Sequence, residues 1–187
     1  MEKLKFIILP LFGLMSALVV NYILLFDVTH NFYALSLLPG LIFGIFIFPA
    51  IFIIKKEKKN PENTLIWLAC CAIAYHASFW VVIAEAIIKP PFSFLVAGFV
   101  GGLIMLIGLG SITKISKNSI IFLSLLAGVI AFVWLLAEYN TTPLQNPIYT
   151  STINDFLEYK ELHPEIGFAY LYIWWNTLMA MGIAMVI

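Results

Sequence analysis

The sequence predicts an all-α polytopic membrane protein: a compact bundle of six transmembrane helices with the N-terminus and the C-terminus both cytoplasmic. Three observations carry that expectation. Apolar residues fill 63% of the 187 positions and charged residues 11%, with a mean hydropathy of +1.02. A soluble domain of this length would show far more charge. Six apolar stretches are each long enough to cross a hydrocarbon layer of about 30 Å, and lysines gather on alternate connections between them.

The first stretch, Leu4–Phe26, follows a basic start and has the outline of a signal peptide. Its apolar run continues to Phe26 with no A-x-A-type cleavage site behind it, so it reads as an uncleaved membrane helix. Asn21 lies in its outer third and Asp27 at its outer edge. The second stretch, Tyr33–Ile54, ends on the run KKEKKN and carries Gly40 and Gly44 four apart. The third, Thr64–Ile88, is announced by Asn60-Pro61-Glu62, which sets Pro near a first helical position with an acid beside it. Lys89-Pro90-Pro91 stops it and launches the fourth. This third stretch holds His76 near the midplane and Glu85 near the outer end.

The fourth stretch, Phe92–Thr113, sets Gly98, Gly101, Gly102 and Gly108 largely on one face. The fifth, Ser119–Tyr139, spaces Ser124 and Gly128 in the same way and closes with Trp134, Glu138 and Tyr139. Lipid tails are as apolar as leucine, so such small-residue faces let backbones approach and gain van der Waals contact. Packing inside the bundle is the expected use. The sixth stretch, Ile166–Ile187, follows His163-Pro164-Glu165 and opens with Tyr170 and Tyr172, then Trp174, Trp175 and Asn176. Between the fifth and sixth, residues 140–165 form a long outer connection. Its second half, STINDFLEYKELHPE, sets Ile153, Phe156, Leu157 and Tyr159 among acids, and Thr152 with Asp155 resembles a capping box. A short amphipathic helix is expected there, resting at the interface or acting as a lid. The whole chain, 1–187, reads as one integral membrane domain.

Orientation follows from the lysines. With the N-terminus inside, the inner segments carry Lys3, Lys5, Lys55, Lys56, Lys58, Lys59, Lys114 and Lys117, and the outer ones only Lys89 and Lys160. The location expected is the cell membrane, multi-pass, of the bacterial inner-membrane kind. Every basic residue is Lys and the net charge is zero, so no basic stripe and no bidentate Arg clamp is present for nucleic acid. Cys70 and Cys71 are adjacent in an apolar run, a poor geometry for a disulfide, and read as small buried hydrophobes.

Polar and aromatic residues collect in the outer half. An interfacial aromatic belt accounts for many of them, but not for Asn21, His76, Glu85 and Asn176, since polar groups at depth are costly and usually face the bundle interior. The expectation is an outward-opening pocket built from Asn21, His76, Glu85, Trp134, Tyr170 and Asn176; scattered interhelical hydrogen bonds are the competing account. His76 and Glu85 stand nine positions apart, hence on opposite helix faces and about 13 Å apart along the axis. They form no dyad, and each needs partners on other helices, Asn176 being at a depth comparable with His76.

Enzyme templates fit poorly, leaving enzymatic activity undecided and leaning against it. Ser78 is two positions from His76 and points elsewhere, and no HExxH, GxSxG, P-loop or paired intramembrane aspartates occur. Asp27, His30, Glu158, Glu161 and His163 lack a metal-ligand pattern, and one intramembrane His does not make a haem site. No catalytic residue, metal or cofactor is expected.

The outline of a short chain, six helices, both ends inside and polar groups gathered outside resembles the substrate-binding components of energy-coupling-factor vitamin importers. That resemblance rests on architecture and on no residue motif. It implies an outer pocket for a small water-soluble molecule and a protein partner on the cytoplasmic side, with Gly13-Leu-Met-Ser-Ala17 a candidate small-residue docking face. The function expected is therefore a binding or transport-related membrane subunit. A structural or assembly subunit of a larger complex, binding no ligand, is the alternative, and an intramembrane enzyme comes third. The partners expected are the lipid bilayer, a small polar molecule from outside and a membrane or cytoplasmic-side protein, with no nucleic acid.

Overall fold

The computed structural model describes residues 3–26, 32–55, 61–84, 92–141 and 167–187; for 24–26, 32–35, 83, 134–141 and 167–171 the description is of the backbone. Glu85 and nearly all of the outer connection 140–165, including its expected amphipathic helix, lie outside the described residues.

The described residues form six helices and no strand: α1 (Lys5–Phe26), α2 (Phe32–Lys55), α3 (Pro61–Ile83), α4 (Phe92–Ile112), α5 (Lys117–Thr141) and α6 (Gly167–Val186). Most boundaries fall within a residue or two of those expected from the apolar runs. Helix α3 starts three residues before Thr64, at Pro61 with Glu62 in its first turn, because proline's fixed φ and missing N–H suit the first helical position. Helix α5 starts two residues before Ser119. The reason is a cap: Ser116 Oγ accepts the Ser119 N–H at 3.0 Å, which satisfies one of the N–H groups the first turn leaves without a partner.

Four of these helices carry stretches long and apolar enough to cross a membrane: Lys5–Ile23, Ser36–Lys55, Pro61–Val82 and Phe92–Ile112. Helices α5 and α6 contribute shorter apolar stretches, Lys117–Val133 and Tyr172–Val186. The chain is thus a helical membrane protein. Pro10, Pro39 and Pro49 lie inside α1 and α2, as membrane helices tolerate when neighbouring helices cover the freed backbone groups.

Each helix packs against the next, and α6 returns to α1, so the order closes into a ring; the α5–α6 seam is the thinnest. Glycines set the register. A Cβ on Gly13 would stand 2.5 Å from the Asn176 carbonyl oxygen, and one on Gly40 2.7 Å from the Cys71 carbonyl carbon. Gly98 meets Ala127, Gly128 and Ala131, while Gly102, one turn on, meets Ser124 and Ala127. The partners run backwards as the glycines run forwards, which makes α4 and α5 antiparallel neighbours. In the same way Gly101 lies on Ser78 and Gly108 on Cys70, so α3 and α4 are antiparallel. The expected use of the small-residue faces inside the bundle is what the structure contains.

One expectation is corrected here. The Gly13–Ala17 face of α1 is no docking surface for another protein. Ser16 and Ala17 have no exposed surface, and Gly13 lies against Asn176 and Ala180 of α6. The face is taken within the chain because only glycine at 13 lets the two backbones approach so closely.

All six helices feed one apolar core, with Leu9, Phe43, Ile47, Trp67, Met105, Leu106, Leu109, Leu123 and Ile183 among its members. Trp67 is fully buried and donates its indole N–H to the Gly44 carbonyl at 3.0 Å. A buried indole without an acceptor would cost about 1–3 kcal/mol, so this bond fixes α3 on α2 as well as filling space.

Candidate functional site

Polar side chains at mid-depth fall into two groups on two sides of α3. The first faces inward. Tyr75 donates its hydroxyl to Asn176 Oδ1. Asn176 Nδ2 donates to Ser16 Oγ at 3.0 Å, and Ser16 donates to the Gly13 carbonyl at 2.6 Å. Three helices, α1, α3 and α6, are joined by this one chain of bonds. Asn176 and Ser16 have no exposed surface, and Tyr75 is 9% exposed. Asparagine suits the middle position because its amide offers an acceptor on one side and donors on the other. Aromatic rings close over Tyr75. Tyr172 stacks on it at 6.2 Å between centroids and 21° between planes, and Phe43 lies at 6.4 Å.

Direction matters for what this group can do. Each hydroxyl has a single proton, and each proton in the chain is committed to the next acceptor, ending on a backbone carbonyl. The arrangement holds helices together; it presents no spare polar atom of Ser16 for chemistry.

The second group faces α2. His76 Nδ1 lies 2.9 Å from Ser36 Oγ, and Trp80 donates its indole N–H to His76 Nε2 at 3.0 Å. The two rings of α3 meet edge to face, with centroids 6.1 Å apart at 85°. Ser36 is buried, His76 is half-buried and Trp80 is 49% exposed. The tautomer follows from the donors. Indole nitrogen can only donate, so Nε2 is an acceptor, and in the neutral ring Nδ1 then carries the hydrogen and donates to Ser36 Oγ.

The residues expected to share a pocket are therefore distributed as follows. Asn176 is joined to Tyr75 and Ser16, whereas His76, whose depth had matched it to Asn176, is joined to Ser36 and Trp80. The neighbours Tyr75 and His76 are turned about 100° apart around α3, which separates the two groups. Asn21 is buried on α1. Trp134 and Tyr170 lie on α5 and α6 where the backbone alone is described, and Glu85 lies outside the described residues. Ser78 donates to the Ala74 and Ala97 carbonyls, at 2.8 and 2.9 Å, and does not face His76. Among the described residues no three His, Cys, Asp or Glu side chains come together as a metal site.

Ser16, Ser36 and Tyr75 belong to these two groups although depth along a helix does not single them out. Trp80 was legible, since it follows His76 by one helical turn. Tyr75 had a signal too: it shares a stripe with Cys71 and Ser78, the interior side of α3. Comparison with family models, with curated proteins and with solved structures finds no match to this chain.

Proposed function

We propose that the chain is a six-span membrane protein with both ends cytoplasmic, acting as a binding or transport-related subunit whose polar and aromatic pocket opens outward. The observation that carries this reading is the difference between the two ends of the ring. Toward the lysine-bearing end, Trp67, Met105, Leu109 and Ile183 are fully buried large side chains, and a polar solute would have to displace all of them. Above them the Tyr75–Asn176–Ser16 bonds tie α1, α3 and α6 at mid-depth. Beyond that level the side chains change character, to Tyr172, Trp175 and Asn21. In this reading a small polar molecule approaches from the outer end, with the Tyr75–Asn176 bond as a floor.

Purified protein, screened by thermal unfolding against small water-soluble molecules, tests this reading. A ligand should raise the Tm, and Asn21→Ala and Glu85→Gln should each reduce that gain while leaving the unliganded Tm within a few degrees of wild type. Loss of folded protein in both variants, with no molecule stabilising the wild type, would reject the pocket.

A second reading, a structural or assembly subunit without a ligand, is favoured by one observation: the Asn176 amide is bonded on both sides within the chain. Under it, variants at His76 and Asn176 would alter stability and complex formation and no small molecule would bind. Topology is tested separately. Single cysteines at Lys58 and Lys160 in a Cys70→Ala, Cys71→Ala background should be labelled by an impermeant maleimide from opposite sides of the membrane.

A further inference from the structure

We propose that His76 is a proton-binding site whose occupancy is transmitted to Trp80, making the pair a proton-operated latch on the outer part of the α2–α3 seam. The inference does not depend on the pocket reading.

The geometry supplies a sharp distinction between the two protonation states. In the neutral ring Nε2 is an acceptor and holds the Trp80 indole N–H at 3.0 Å. One added proton goes to that same Nε2. Both ring nitrogens are then donors, and an indole N–H pointing at an imidazolium N–H is repelled. The bond to Trp80 must break. The bond on the other side need not, because Ser36 Oγ, 2.9 Å from Nδ1, accepts the Nδ1 hydrogen in both states. Protonation thus acts on one partner and spares the other.

Burial reinforces this asymmetry. Ser36 is 2% exposed and fixed on α2, whereas Trp80 is 49% exposed and can turn without opening the core. Among the described residues, Ser36 of α2 and Trp80 of α3 meet the imidazole, and the adjacent titratable side chain on α3, Tyr75, is turned inward to Asn176. Depth allows a proton to arrive. His76 lies seven residues before the end of α3, about 10 Å along the axis, with Trp80 between it and that end. The group released is the Trp80 indole N–H, on a side chain that is 49% exposed.

The test uses the full-length protein in detergent micelles. The Trp80 contribution to fluorescence is isolated as the difference between wild type and Trp80→Phe, and followed from about pH 8 to pH 5. The expected result is a reversible change in emission maximum as pH falls. It should vanish in His76→Gln, whose amide oxygen can hold the indole N–H but binds no proton in this range. A shift that persists in His76→Gln, or none in the wild type, would overturn the proposal. Nitrogen-15 NMR of histidine-labelled wild type gives an answer independent of any variant. At pH 8 the His76 ring should be the Nδ1–H tautomer, and an Nε2–H ring would also overturn the latch.

Discussion

Tyr75 and Asn176, 101 residues apart in the chain, share a hydrogen bond in the middle of the ring. Neither side chain can be read correctly without the other. An asparagine with no exposed surface looks like a ligand group until its oxygen is found bonded to a tyrosine, and the tyrosine looks like an ordinary aromatic until its hydroxyl is traced. The bond converts two costly buried groups into a tie between α3 and α6, which a second bond to Ser16 extends to α1.

Breaking that tie should therefore cost more than the bond itself. Asn176→Ala removes the acceptor of Tyr75 and the donor to Ser16, leaving a buried phenol without its partner. A loss of about 2–3 kcal/mol is expected, measured as reversible unfolding in mixed micelles. Tyr75→Phe alone should cost about 1 kcal/mol. The double variant should show a coupling on the order of 0.5–2 kcal/mol, and strict additivity would exclude the bond.

Glycines offer a contrast within one residue type. Gly40→Ala drives a methyl group into the Cys71 backbone, and backbone cannot move aside as a flexible side chain does. A loss of about 1–3 kcal/mol or a failure to fold is expected. Gly110→Ala adds its methyl where nothing lies within 4 Å and should be neutral or stabilising by up to about 1 kcal/mol. Thermal unfolding of the two variants side by side decides the matter.

Two buried serines should respond with opposite sign. Ser16 both accepts from Asn176 and donates to Gly13, so Ser16→Ala should destabilise by about 1–2 kcal/mol. Ser93 Oγ is buried with no hydrogen-bond partner among the described residues, so Ser93→Ala removes an unsatisfied group and should leave stability unchanged or raise it by about 1 kcal/mol. Both are read from Tm.

The cap of α5 makes a fourth test, outside the core. Ser116→Ala takes away the acceptor of the Ser119 N–H and should cost about 1 kcal/mol. Ser116→Asp, which keeps an acceptor and adds favourable charge at the helix N-terminus, should restore stability. Amide exchange in the first turn of α5 gives the local readout.

Much of the fold was legible because membrane helices obey few rules. Apolar length locates α1 to α6, and proline punctuation placed the start of α3 better than hydropathy did. Glycine spacing foretold the close faces on α2, α4 and α5. The candidate site was less legible. Depth along a helix is readable at 1.5 Å per residue, and it set Asn176 and His76 at similar levels. Azimuth about the helix is readable as well, but which helix stands opposite a given face is not. That depends on the order of the ring, and so Asn176 meets Tyr75 rather than its neighbour His76. The Gly13–Ala17 stripe was misread for the same reason. A small-residue face announces that something packs on it and is silent about whether the partner is another protein or another helix of the same chain.

The seam between α1 and α6 has a consequence in time. Ser16 and Asn176 are 160 residues apart, and at about 5–20 residues per second a ribosome needs roughly 8–32 s to make that interval. For that period the cleft at Gly13 has no helix to fill it, and Ser16 has no amide beside it. The first helix must wait in the bilayer for α6, and the ring acquires its final shape only once α6 has been made.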